Sequence, residues 1–226
     1  MSRQDGGARA MLPHIAWRLE EMLAAIAERR PRATGAIEQA LRKVPRHWFV
    51  PSRGLVLEDD GARPIDRDDD PTAWWDAVYS GRPIATPSPN GPSSYRCVML
   101  APSCVVDLLE LLDPQPGQRI LEVGTGSGWI TALLCRLTGE SGSVTSVEGD
   151  AAVAEDAWRN LVAAGVRPHL IVGDPARGCP ERAPYDRVLA PSVMPDTWVP
   201  QARPGAVIVG GSDRAAMRLV VPSDGA

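Results

Sequence analysis

Residues 121–129, L-E-V-G-T-G-S-G-W, constrain this chain more than any other stretch. The run R-I-L-E-V that leads into them, 119–123, reads as a short buried strand, and three glycines follow at alternate positions, Gly124, Gly126 and Gly128. Lacking a Cβ, these glycines let the backbone turn sharply and approach a ligand closely. A helix continues through Leu137, and its N-terminal N–H groups would face whatever the turn holds. Strand, glycine turn and helix in that order specify an α/β crossover with the turn at the C-terminal edge of the sheet. Dinucleotide loops run G-x-G-x-x-G, but Trp129 stands at the last of those positions, which disfavours NAD or FAD.

The alternation continues downstream. Residues 143–148, 169–172, 186–190, 206–209 and 218–221 read as strands, with a helix over 151–164 and a short one near 196–202. The expected fold class is α/β, a Rossmann-like, mostly parallel sheet with helices on both faces. Upstream, Ile15, Leu19, Met22, Leu23 and Ile26 recur at helical spacing over 12–30, and a second short helix fits 35–43. V-P-R-H-W-F-V-P, 44–51, reads as a packed turn or short helix in which Arg46 and His47 are structural. The acidic stretch 52–73, with D-R-D-D-D-P at 66–71, reads as a solvated loop, and 81–94, with four prolines, as an extended one. Trp74, Trp75 and Tyr79 between them read as core packing. A helix over 103–112 leads to the first strand. The organisation expected is a disordered tail at 1–10, a helical and loop extension at 11–116 that carries the substrate region, and a ligand-binding α/β domain at 117–226.

A net charge of −4 and a pI near 5.4 argue against a broad nucleic-acid surface. Cys97, Cys104, Cys135 and Cys179 form no C-x-x-C pair, so neither a zinc site nor a disulfide framework is expected; all four read as thiols, two of them in the core. No run approaches the roughly 18 apolar residues of a membrane span. The polar start lacks a signal peptide's apolar stretch, so a cytoplasmic chain is expected.

Two acids complete the pattern. Glu148 ends the second strand, where a carboxylate can accept both ribose hydroxyls of a nucleoside. Gly173-Asp174 ends the third, where a carboxylate can accept from an adenine amino group. The candidate ligand-binding residues are Glu122, Gly124, Thr125, Gly126, Ser127, Gly128, Glu148, Gly173 and Asp174.

Together these residues resemble the class I methyltransferases, and the resemblance implies S-adenosyl-L-methionine as cofactor. In it the glycine loop holds the methionine part, the first acid the ribose and the second the adenine. V-P-R-H-W-F-V-P, then A-P-S, P-G-Q-R-I-L-E-V-G-T-G-S-G-W and A-P-Y-D-R-V-L-A further resemble the protein-L-isoaspartate O-methyltransferases. W-W-D-A-V-Y-S and its Pro-rich sequel look like a divergent branch found beside peptide maturases in ribosomal-peptide pathways. Those enzymes methylate an aspartate of a modified peptide, and the ester can close to an aspartimide. The repair enzymes carry a Gly-His-Gly-Gln-Thr-Ile-Ser-Gln-Pro type of stretch. Here V-M-L-A precedes Pro102, so Leu100 stands at the family serine, and Ser93 and Ser94 become the positioning candidates. The sequence also ends soon after Val221, short of the family's usual C-terminal strands.

Carboxyl methylation suits this residue set. A carboxylate is ionised at pH 7 and needs no general base to attack a sulfonium methyl, and no metal-ligand cluster lies in the motif region. The expected partner is a peptide or protein bearing Asp or isoaspartate, with a maturase as a further partner and neither nucleic acid nor membrane. General protein repair, a non-catalytic cofactor-binding scaffold for a maturase, and small-molecule or RNA methylation remain as alternatives.

Overall fold

The computed structural model describes residues 13–29, 35–88, 94–191, 196–212 and 215–223. The tail expected at 1–10 and the candidate Ser93 lie outside them. Helix α1 (Pro13–Arg29) buries the predicted stripe Ile15, Leu19, Met22, Leu23 and Ile26. Helix α2 (Gly35–Lys43) buries Ile37, Ala40 and Leu41, and Arg46–Trp48 forms a single 3-10 turn.

The next segment departs from expectation. Instead of loops, four strands follow: β1 (Arg53–Glu58), β2 (Gly61–Asp66), β3 (Ile84–Pro87) and β4 (Tyr95–Met99), with α3 (Pro71–Val78) inserted after β2. They form an antiparallel sheet in the order β2-β1-β3-β4. Gly54, Val56 and Ile65 face inward while charged residues face solvent, which hid the strands in an acidic sequence. The charges pair across the hairpin, Arg53 with Asp66 at 2.7 Å and Arg63 with Glu58 at 3.0 Å. The acidic run is turn and cap chemistry. Asp66 accepts from the Asp68 N–H, and Asp70 caps α3 by accepting from Ala73 N–H, with Pro71 at the first helical position.

Helix α4 (Pro102–Leu112) precedes the alternating half: β5 (Arg119–Val123), α5 (Trp129–Thr138), β6 (Ser143–Glu148), α6 (Ala151–Ala163), β7 (His169–Val172), β8 (Tyr185–Ala190), β9 (Ala202–Ser212) and β10 (Ala215–Val220). The sheet order is β10-β9-β8-β5-β6-β7. All pairs are parallel except β10, which lies antiparallel on β9. The order reverses between β5 and β8, the switch point at which open α/β sheets bind ligands.

Strand parity assigns the two faces. Ile120, Val144, Leu189, Val207 and Val209 join the core with α4, α5 and α6. Leu121, Val123, Val147, Val188 and Ile208 point the other way. That second face is covered by 3-10 turns, Pro175–Arg177, Pro180–Arg182 and Asp196–Gln201, with Tyr185, Cys179 and Trp198 packed beneath them. Gln201 sews the turns together, donating to the carbonyls of Arg177 and Thr197 and accepting from Cys179 N–H. Of the four thiols Cys179 is buried in the core beneath these turns and Cys135, half-buried, packs against the core on the other face, while Cys97 and Cys104 are half-buried. Because α4 packs on β8, β9 and β10, the boundary expected at 116/117 separates this helix from the sheet it covers.

Arg46 ties the end of α3, the turn after it and the β4–α4 junction to the start of α5. It is fully buried, and its guanidinium donates to the carbonyls of Val78 (2.8 Å), Ser80 (3.4 Å), Arg82 (2.9 Å) and Leu100 (3.1 Å). It also lies over the Trp129 ring, 5.5 Å from the centroid. Arg46→Leu keeps the bulk but leaves these carbonyls unpaired, each at about 1–3 kcal/mol when buried. Urea denaturation should show a loss of at least about 3 kcal/mol; a loss below about 1 kcal/mol would mean that Arg46 does not hold these segments together.

Candidate active site

β5 ends at Val123, and Gly124 turns the chain, its N–H donating to Val147 O at 2.8 Å. Two glycines are required by close approach. A Cβ on Gly126 (φ +55) would come within 3.1 Å of Cys97 Sγ, and one on Gly128 (φ +86) within 3.1 Å of the Leu161 side chain. Gly126 therefore lets β4 lie over the loop, and Gly128 lets α6 lie against α5. Asn160 fixes the loop from α6 by donating to Ser127 O at 3.1 Å. Trp129, at the position where dinucleotide loops need glycine, is buried, and its indole N–H donates to Val44 O at 3.0 Å.

Above the loop is a cavity of about 360 Å³. Its floor is Gly124 to Ser127, Glu148 forms one wall, and Arg96, Cys97, Val98 and Leu100 form the other. A larger cavity, about 1010 Å³, opens at the N-terminal edge, where Ser143 and His169 begin their strands. The smaller one carries the glycine turn at the sheet's switch point, and it is the candidate site on those grounds.

Glu148, half-buried, accepts from Gly126 N–H at 3.0 Å and from Asp150 N–H at 3.1 Å. Its carboxylate thus borders the cavity and the loop together. Glu122 lies elsewhere. It is fully buried on the α5 face, accepting from Thr131 Oγ1 (2.5 Å) and Ser146 Oγ (2.8 Å), and Ser146 meets Thr125 Oγ1 at 2.6 Å. Its Oε1 has no hydrogen-bond partner among the described residues. Burial pushes Glu122 up to about 7 against the pull of its two hydroxyl donors. This geometry makes Glu122 a support beneath the loop, not a wall of the cavity.

Gly173 N–H donates to Glu148 O at 2.9 Å, tying the ends of β6 and β7 together. Asp174 is exposed and caps a 3-10 turn through Ala176 N–H. Neither borders the cavity. Ser94 sits just before β4, outside the cavity wall, with its carbonyl accepting from Ser88 N–H. Leu100 is on the wall, so an apolar side chain occupies the place of the family serine. Burial pushes the Cys97 thiol up to about 11, so it stays protonated at neutral pH. His47 is pushed down to about 4 by burial and meets Tyr79 OH at 2.7 Å, within the aromatic cluster of Trp74, Trp75 and Tyr79. Among the described residues no His, Cys, Asp and Glu cluster could hold a metal.

Reading the sequence missed Arg96, Cys97 and Val98 on the roof. Their only signal was position, immediately before Leu100, in a stretch taken as loop.

A family model described as protein-L-isoaspartate(D-aspartate) O-methyltransferase matches residues 83–218. A protein-L-isoaspartate O-methyltransferase of Aeropyrum pernix is 35% identical over 178 residues, 76% of this chain and 57% of that protein. Protein-L-isoaspartate O-methyltransferase 2 of Archaeoglobus fulgidus is 32% identical over 193 residues, 83% of this chain and 76% of that protein. The chain thus spans little more than half of the Aeropyrum relative. A solved protein-L-isoaspartate O-methyltransferase superposes with a TM-score of 0.70 at 22% identity, covering 90% of this chain and 60% of the other. A Plasmodium falciparum structure, described as a beta-aspartate methyltransferase in complex with S-adenosyl-L-homocysteine, gives 0.62 at 14% identity over 91% of this chain and 89% of its own. These two likenesses bear on the fold.

Glu122 gives the site a pH signature. A carboxyl whose folded pKa lies above its unfolded value binds its proton more tightly when folded. The stability it contributes is complete below the unfolded value, near 4.5, and is lost as pH rises through about 7. Glu122→Gln removes that titration. Between pH 5 and 8 the unfolding free energy of the variant should gain on wild type by roughly 3 kcal/mol. A difference that stays flat with pH in chemical denaturation would mean Glu122 is ionised in the folded state throughout.

Proposed function

The chain belongs to the protein-L-isoaspartate O-methyltransferase family, and we propose that it methylates the carboxylate of an aspartyl or isoaspartyl residue in a peptide, using S-adenosyl-L-methionine. The observation that carries this reading is the Glu148 carboxylate set against the Gly126 N–H at the mouth of a switch-point cavity. That arrangement offers a nucleoside both a hydroxyl acceptor and a close backbone. Asp174, from the end of β7, is the proposed adenine acceptor.

When bound, S-adenosyl-L-methionine supplies an electrophilic methyl group on a sulfonium centre. In the transfer an oxygen–methyl bond forms and the sulfur–methyl bond breaks, sulfur keeping the electron pair. The products are a methyl ester and S-adenosyl-L-homocysteine. An anion and a cation are consumed together, so a site that excludes water favours the step. Val98 and Leu100 give the roof this character, and no residue need accept a proton because the acceptor is already ionised.

The Pro-rich hairpin and Leu100 support a dedicated, conformationally constrained peptide as acceptor over damaged proteins at large. Under this reading a peptide maturase acts on the same substrate, in the cytoplasm. No helix among the described residues is long and apolar enough to cross a membrane. The names of the relatives support the second reading, general isoaspartyl repair.

Glu148→Ala should weaken S-adenosyl-L-homocysteine binding by roughly 1.5–3 kcal/mol in calorimetry. Asp174→Ala should cost less, since its partner is a neutral amine. Unchanged affinity in Glu148→Ala would remove the ribose assignment. The acceptor is tested by competition between a macrocyclic peptide carrying one Asp and a linear isoaspartyl peptide at equal concentration, read as methyl mass shifts. Faster methylation of the macrocycle is expected, its ordering entropy being lower. Preference for the linear peptide would restore the repair reading.

A further inference from the structure

Strand β4 contains a bulge. Cys97 lies opposite Thr86 and Tyr95 lies opposite Pro87, which leaves Arg96 with no partner across the pair. Pro87 has no N–H to give the ladder, so the irregularity falls where pairing is already weakened. Bulges of this kind re-aim one side chain beside a site. The re-aimed residue lines the cavity above the glycine loop, and among the described residues it is the only cation that does so.

Arg96 is only loosely engaged. Its nearest carboxylate is Asp150 Oδ2 at 3.9 Å, the outer limit of an ion pair. The other oxygen of Asp150 caps α6, accepting from Ala152 and Val153 N–H. The Arg96 side chain retains 32% of its exposure, so water and a ligand can both reach it. A guanidinium with free donors beside an apolar roof is suited to a carboxylate.

Resting on the carboxyl-methyltransferase reading, we infer that Arg96 recognises the acceptor carboxylate, taking the oxygen that does not attack and leaving the other free to receive the methyl group. A guanidinium lowers the nucleophilicity of a carboxylate it neutralises. Here Asp150 shares the charge, and the gain is in holding the acceptor near the methyl donor. The residue therefore acts on acceptor binding, and the bulge couples acceptor choice to the hairpin of β3 and β4.

The test uses the full chain and whichever of the two peptides above wild type methylates faster. Arg96→Gln should raise KM for the peptide about tenfold or more with kcat within about twofold, while S-adenosyl-L-homocysteine affinity in calorimetry stays unchanged. Arg96→Lys should recover most of the KM. Asp150→Asn, which keeps the capping oxygen and removes the competing charge, should lower it. An unchanged KM in Arg96→Gln overturns the inference. So does a matching loss of S-adenosyl-L-homocysteine affinity, which would make Arg96 an anchor for the cofactor's own carboxylate. If wild type methylates neither peptide, the carboxyl-methyltransferase reading fails and takes this inference with it, an outcome that the variants cannot mimic.

Discussion

The arrangement of the site depends on one buried cation. Among the described residues no carboxylate pairs with Arg46; it is held by backbone carbonyls from the end of α3, the following turn and the junction between β4 and α4. Desolvation pushes it down to about 9, so it remains protonated at neutral pH and its donors stay committed. Burying a guanidinium is costly, and only a full set of acceptors offsets it. A lysine, a point charge with three donors, could not span the same carbonyls. Leu100, one of the residues whose carbonyl Arg46 holds, is also a wall of the cavity, so the cation that holds the β4–α4 junction also holds one end of the roof. Trp129 closes the circuit, since its ring lies under Arg46 and its N–H reaches Val44, two residues before it.

The two acids near the loop divide their work by strand parity and depth. Glu122 and Glu148 sit in neighbouring parallel strands, with Glu122 opposite Ser146 in the register. Glu122 is within the strand, turned toward α5 and sealed by Thr131, where an ionised carboxylate is costly. Glu148 is the last residue of β6, where the strand opens to the cavity and backbone N–H groups can hold its charge. Glu122 lies outside the cavity lining, and Glu148 is the carboxylate that borders it. This placement also accounts for the Ser146 and Thr125 hydroxyls, which meet each other, Ser146 donating on to Glu122 beneath the loop.

What the sequence made legible follows from these constraints. Elements that bury one face at a regular period were readable: the α1 stripe, α2 to its terminal residues, and the strands β5 to β8. The strands β1 and β2 were not, because a two-stranded ribbon that carries Arg53, Arg63 and Asp66 outward has too little apolar alternation to separate from a loop. The glycine loop and Glu148 were readable because each is fixed by local backbone chemistry at a strand end. That Glu122 turns toward α5 was not readable, because a motif gives position along the chain, while the side on which a residue emerges depends on its neighbours across the sheet. Arg96 was invisible for a related reason: a bulge is a property of a pair of strands.

The same distinction separates the floor of the cavity from its roof. The floor is built from parallel strands whose register is fixed on both sides, β5 between β6 and β8. The roof is the edge strand of a small antiparallel sheet, with no strand paired on its outer side among the described residues. Edges tolerate bulges and substitutions that central strands do not. The freedom has one limit, at Cys97, whose sulfur lies 3.1 Å from where a Cβ on Gly126 would stand. A longer side chain at that point would press on the loop, whereas Arg96, Val98 and Leu100 line the cavity without entering that contact. Under the proposed function, acceptor preference can thus be rewritten on the roof one side chain at a time, provided that the residue over Gly126 stays small and Arg46 continues to hold the strand's end in place.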